Sequence, residues 1–268
     1  MTGQERRPAA LAAGLGLMLG PALALGFGRF AYALVLPAMR AELGWSFVTA
    51  GSLTTANSFG YLVGAPATGV IARRVGERRS FVAALAVTTV ALFASAGSGN
   101  LAVLLALRAV AGAGGAGCFV AGAGLAAQAG RNLPRSRAST LIAVYFAGGG
   151  VGIVISGLVV PAVLGIGNWR AAWLALGGLA LLAMAGAVPA ARAMPETMAD
   201  PERGRLESPH WGSLSALLGC YALFGAGYIA YMTFIIAALK TQGAGETEVV
   251  VFWTVLGTTA AAAAFMWG

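Results

Sequence analysis

The chain has 268 residues, 59% of them hydrophobic and only 10% charged, with a mean hydropathy of +0.81. Soluble domains carry roughly 25% charged residues, and a soluble fold of this length cannot hide so much apolar surface, because much of any folded surface faces water. The net charge of +8 and pI near 10.3 are not gathered on one basic face as nucleic-acid binding requires; they are spread over separate polar breaks and read as a membrane topology signal.

A membrane-spanning helix needs ~20 mostly apolar residues. Eight runs of that kind are predicted, at 11–39, 47–72, 81–97, 101–128, 139–164, 171–191, 214–239 and 249–268. The fold class is therefore an all-α polytopic membrane protein. The start of the chain imitates a signal peptide: Arg6 and Arg7 precede the first run, and Ala22-Leu23-Ala24 resembles a cleavage site. The run continues to Met39, which favours an uncleaved first span.

That first span carries Arg29, and the fourth carries Arg108. Of the 17 basic and nine acidic residues, only these two interrupt the long apolar runs. A charge at the centre of a membrane helix costs at least ~2.5–3.5 kcal/mol on insertion scales, so each is a functional candidate. No Asp, Glu or His lies in any predicted span to match them, which points to an anionic ligand. Arg29 precedes Pro37 by eight residues and Arg108 lies about seven residues into its span. At ~1.5 Å rise per residue these are similar depths, ~12 and ~10 Å from the same side. Two planar guanidiniums there form a candidate clamp for carboxylate or phosphate. The competing roles are structural: Arg29 snorkelling or bonding carbonyls freed near Gly26 and Gly28, and Arg108 serving helix packing.

Tyr32 follows Arg29 by three residues and shares its helical face. Tyr228 and Tyr231 repeat that spacing in the seventh span, and the segments Gly26–Tyr32 and Gly225–Tyr231 both read G-x-G-x-x-A-Y. Parallel repeats of this type build many transporters around a midplane site. Asn57 in the second span is a further substrate-binding candidate, with interhelical hydrogen bonding as its alternative. Gly112, Gly114 and Gly117 spell a dinucleotide fingerprint, but inside an apolar helix with no βαβ unit the spacing serves close helix packing. Cys118 and Cys220 lie far apart inside apolar spans and read as inert thiols. No nucleophile–base pair and no metal-ligand spacing appears, so neither an enzyme, a metal nor a cofactor is expected.

The longest polar stretch, 192–211, contains Pro195, Pro201 and Pro209 and reads as a cytoplasmic linker between a six-helix bundle (1–191) and the first two helices of an incomplete second bundle (212–268). His210, in that linker, reads as solvated. Basic residues decide orientation. Arg6, Arg7, Arg73, Arg74, Arg78, Arg79, Arg131, Arg135, Arg137, Arg192, Arg203 and Arg205 all fall on one side, against Arg40, Arg170 and Lys240 on the other. The N-terminus is therefore expected in the cytoplasm.

The loop after the second span, from Gly69 to Arg79, resembles the G-x-L-A-D-R-x-G-R-R cytoplasmic motif of the major facilitator superfamily. Arg73 stands at that family's Asp and Glu77 at its Arg. Arg108 to Ala116 is similar to the family's R-x-x-x-G-x-G-x-A motif, and Asn168 to Trp173 also looks familial. Gly148 to Gly157 resembles the antiporter motif only loosely, and its Gly-Pro pair is absent. The opening from Gly26 to Met39 most resembles the uncharacterised YbfB/YjiJ-like bacterial branch. The resemblance implies a cytoplasmic gate at Gly69, Arg73, Arg74, Gly76, Glu77 and Arg78. It also implies a secondary transporter of the bacterial inner membrane, moving a small organic anion by alternating access, with solute and lipid as its partners. Twelve spans are usual in that family, so a C-terminally truncated chain, its site completed by missing helices, is expected. A non-transporting sensor or scaffold, or an inactive fragment, is the alternative.

Overall fold

Long apolar runs fold as helices in lipid because a helix satisfies its own backbone hydrogen bonds. The structure, a computed structural model, describes residues 6–131, 133–194 and 211–266, and every regular element among them is helical. In chain order these are α1 (Ala12–Leu43), α2 (Phe47–Val75), α3 (Glu77–Ser95), α4 (Leu101–Gly130), α5 (Arg135–Ile166), α6 (Trp169–Arg192), α7 (Trp211–Thr241) and α8 (Glu246–Met266). Residues 195–210, with His210 and most of the expected linker, lie outside the described residues, as do 267–268. Seven of the eight helices are long and apolar enough to cross a membrane. The other, α2, has the length at 29 residues, but Thr49, Ser52, Thr54, Thr55, Asn57 and Ser58 dilute its first half.

Most helices run past the predicted apolar runs. α3 starts at Glu77, not 81, and α5 at Arg135, not 139, because polar residues at a helix end extend it where apolarity no longer marks it. Three starts are fixed by side-chain caps. Ser46 Oγ accepts from the Thr49 N–H, Asn100 Oδ1 from Ala102 and Val103, and Asn168 Oδ1 from Arg170 and Ala171. α1 stops at Gly44, whose φ of 66° is the left-handed conformation that glycine takes readily.

α1 is not a uniform helix. Ala22–Phe30 is π-helical, with the Ala31 N–H bonded to the Gly26 carbonyl five residues back. Pro21, just before it, lacks an N–H and breaks the ordinary ladder. Gly26 lies against the backbone of Gly152 on α5, where a Cβ would collide. Such widened turns occur frequently at functional sites.

Small residues bring the helices backbone to backbone. On the α2–α4 contact, a Cβ at Gly60 would strike Ala109 and one at Gly112 would strike Asn57. α5 is pinned on two sides, with Gly148 on Met18 of α1 and Gly150 on Gly257 and Ala261 of α8. α7 touches the preceding helices only along its second half, where Met232, Thr233, Ile236 and Ala237 are buried, whereas Leu217, Leu218, Tyr221, Leu223 and Phe224 in its first half are exposed. α7 thus meets α1 and α2 near the arginine-poor end, which carries the α1–α2 and α7–α8 turns, and leaves them toward the arginine-rich end.

Candidate functional site

Where α7 meets α1 and α2, a narrow cleft of about 270 Å³, counting its open mouth, is lined by Arg29, Phe30, Tyr32, Ala33, Thr54, Tyr228, Ile229, Met232 and Thr233. Arg29 leaves the π-helical stretch half-buried. Its guanidinium carbon is 5.7 Å from the Phe30 ring centre and 5.4 Å from that of Tyr61. Among the described residues no carboxylate pairs with it. Across the cleft, Tyr228 meets Phe30 edge to face at 5.9 Å. The G-x-G-x-x-A-Y repeat therefore has a physical counterpart at one position: Arg29 and Tyr228, equivalent in the two copies, share one cleft.

Arg108 does not line it. Only 1% of its surface is exposed. Its Nη1 donates to the Gly28 carbonyl at 2.7 Å, and its guanidinium lies 5.2 Å from the Tyr32 ring and 5.4 Å from that of Trp173. The Tyr32 hydroxyl donates to the Ala50 carbonyl at 2.7 Å, so its ring borders the cleft while its polar atom ties α1 to α2. Asn57 Nδ2 donates to the Arg108 carbonyl at 3.1 Å and is likewise a bond between helices. The expected pair of cleft guanidiniums is corrected to one. The carbonyl at the end of the π-helical stretch draws Arg108 inward, and Arg29 alone reaches the cleft. Tyr231 also stays outside, 51% exposed on another face of α7. Sequence reasoning missed Phe30, Tyr61 and Thr54. Tyr61 sits one turn after Asn57 on the same face, a signal that was present.

The expected gate segment divides into exposed and buried parts. Arg73 and Arg74 are exposed, and Gly69 has open space where a side chain would be. Gly76 has φ 96° and turns the chain between α2 and α3, a conformation other residues rarely adopt. Arg78 Nη1 donates to the Met194 carbonyl at 3.3 Å. Glu77 is buried in the first turn of α3, where a carboxylate suits the helix dipole, and its carboxyl group occupies the space above Gly124 of α4. The two exchanged charges of the motif are therefore unequal. Arg73→Asp is expected to change stability by less than ~0.5 kcal/mol, as exposed substitutions do. Glu77→Arg forces a larger cation against α4 and is expected to destabilise by ~3 kcal/mol or more. Thermal melts of both variants in detergent check this; equal shifts would reject the asymmetry.

Comparison with known proteins accords with this geometry. A family model described as the uncharacterised MFS-type transporter YbfB matches residues 21–268. A chloramphenicol resistance protein of Streptomyces lividans is 30% identical over 251 residues, covering 87% of this chain, and the chain spans 60% of that relative's length. Among solved structures, a bacterial homolog of the human lysosomal transporter Spinster superposes over 99% of this chain. Its inward-facing occupied form gives a TM-score of 0.72 at 19% identity, covering 60% of that protein. Its inward-facing unoccupied form gives 0.67 at 17% identity, covering 61%. Tetrameric PepTSo2 gives 0.59 at 17% identity, over 91% of this chain and 54% of that one. A family match over nearly the whole chain, on a helical membrane fold shared with solved transporters, means that this multi-pass membrane protein belongs to the YbfB-type family of major facilitator superfamily transporters.

Proposed function

We propose that this protein moves a small organic anion across the bacterial inner membrane by alternating access, with its N-terminus and arginine-rich loops in the cytoplasm. The observation that carries the anion is Arg29: a half-buried guanidinium without a carboxylate partner among the described residues, in a cleft walled by α1, α2 and α7. Such a cation favours a negative guest. The rocking halves in this reading are α1–α6 on one side and the bundle that α7 and α8 open on the other. The contacts of α7 at the arginine-poor end and its departure at the other correspond to a cytoplasm-open state.

Counterflow in proteoliposomes tests the reading. Vesicles preloaded with a panel of small carboxylates are expected to accumulate the labelled acid that the carrier accepts. Binding of such acids without any counterflow would instead support a sensor or scaffold. One relative's name, chloramphenicol resistance, favours a second reading, transport of a neutral nitroaromatic compound. Arg29→Ala separates the two, because only anion transport depends on the charge.

A further inference from the structure

We propose that Arg108 is the positioning residue of the Arg29 site: its hydrogen bond to the Gly28 carbonyl holds the widened winding of α1, and that winding carries Arg29 into the cleft. This rests on the reading above that Arg29 meets the solute. The observation is a mismatch of faces along α1. Residues three and four apart share one face of an ordinary α-helix. Ala22 and Gly26 both lie on the backbone of Gly152 of α5. Ordinary winding would lay Arg29 and Phe30, three and four residues after Gly26, over that same face. They lie elsewhere. The guanidinium carbon of Arg29 is 5.4 Å from the Tyr61 ring centre on α2, and the Phe30 ring is 5.9 Å from that of Tyr228 on α7. The π-helical winding of Ala22–Phe30 allows both placements at once, because each wide turn holds more residues than an α turn.

Such winding is rare, and here a neighbouring helix holds it. From α4, Arg108 Nη1 donates to the Gly28 carbonyl, one residue before Arg29, at 2.7 Å, the short distance of a charge-assisted bond. Packing fixes the direction of that bond. The guanidinium lies 5.2 Å from the Tyr32 ring centre and 5.4 Å from that of Trp173, and the two rings stack on each other at 6.2 Å and 19°. Both rings are tied in turn, Tyr32 through its hydroxyl to the Ala50 carbonyl and Trp173 through its Nε1 to Met39 Sδ. Locked neighbours of this kind are what precise placement requires. Helix packing alone does not account for an arginine here. The residue is buried, its Nε and Nη2 make no hydrogen bond among the described residues, and no carboxylate among them pairs with it. A buried cation so poorly compensated is costly, and an aliphatic side chain would fill the space without that cost. What an aliphatic residue cannot supply is the bond to Gly28.

The test labels position 29 directly and needs no solute. The purified protein, as its gene encodes it apart from Cys220→Ser and Arg29→Cys, is treated with methyl methanethiosulfonate, a small neutral thiol reagent, and each peptide is read by mass spectrometry. Arg108 is kept or replaced by Met or Lys. With Arg108 in place the thiol at position 29 is expected to react. Arg108→Met is expected to slow it at least about tenfold, on the scale of one charge-assisted hydrogen bond, as α1 tightens and swings position 29 toward α5. Arg108→Lys keeps a charged donor and is expected to recover most of the rate. Cys118, buried on α4, reports general loosening and is expected to stay unreactive throughout. Unchanged labelling at position 29 in Arg108→Met overturns the proposal. So does faster labelling there together with Cys118, which is the sign of a merely structural role. Failure of Arg108→Lys to recover the rate overturns the part given to the charged bond. If Arg108→Met does not purify, Arg108→Gln takes its place and the same readings decide. The anion reading fails separately, if Arg29→Ala transports at the parental rate.

Discussion

Arg29→Ala is expected to abolish binding and uptake of an anionic solute while the protein still inserts and purifies as a single species. Arg29 makes no bond that ties one helix to another among the described residues; its neighbours are the rings of Phe30 and Tyr61. Its loss removes the charge and one cation–ring contact between α1 and α2, and leaves the backbone-to-backbone helix contacts standing. Truncating one partner of a desolvated charge pair typically costs ~2–5 kcal/mol, so affinity should fall by at least about thirtyfold. Arg29→Lys keeps the charge but not the planar fork and should fall between the parent and the alanine variant. Uptake assays beside size-exclusion profiles decide the matter: a well-behaved alanine variant with parental uptake would remove Arg29 from the site. Arg108→Ala should behave differently, losing stability as well, because it removes the bond to the Gly28 carbonyl and opens a hole beside Tyr32 and Trp173.

The second large effect is expected at the α5–α8 contact. A side chain at Gly150 collides with the Ala261 nitrogen and the Gly257 oxygen, and one at Gly257 collides with the Gly150 oxygen. Both partners are backbone, so the clash is relieved only by moving one helix away from the other. Overpacking of this kind costs ~1–3 kcal/mol, enough to shift a two-state balance by roughly five- to 150-fold. Gly150→Leu should therefore push the protein out of the conformation described here. Ile236, buried on the inward face of α7, reports on it: in a Cys220→Ser background, Ile236→Cys should resist an impermeant maleimide in the parent and react in Gly150→Leu. Gly178→Leu, placed where nothing lies within 4 Å, is the control. Equal labelling in all three backgrounds would show that the contact does not govern the conformation.

Much of this architecture is legible in the amino-acid sequence, because lipid imposes a simple rule on apolar runs. The runs become helices, and the polar residues Ser46, Asn100 and Asn168 mark three of their starts. Arg29 and Tyr228 were legible as well, one as a charge out of place and the other through the repeat. The equivalence stops there. Tyr32 is buried and Tyr231 is exposed, since what surrounds a repeated motif is not repeated. Arg108 could not be assigned from its type and depth, which match those of Arg29. What separates them is the bond from Arg108 to the Gly28 carbonyl, 80 residues away in the chain, and a linear pattern does not display which helices meet. The seat of Glu77 over Gly124 joins residues far apart in the chain and was equally invisible.

The altered winding of α1 bears on length changes as well as on chemistry. A wide turn accommodates a surplus residue without rotating the rest of the helix. Elsewhere along a membrane helix, removing one residue swings every later side chain by ~100° and would scramble both neighbouring contacts. Between Ala22 and Phe30 the same deletion can be absorbed by tightening the coil, so this is the stretch of the first helix where shortening should be tolerated best.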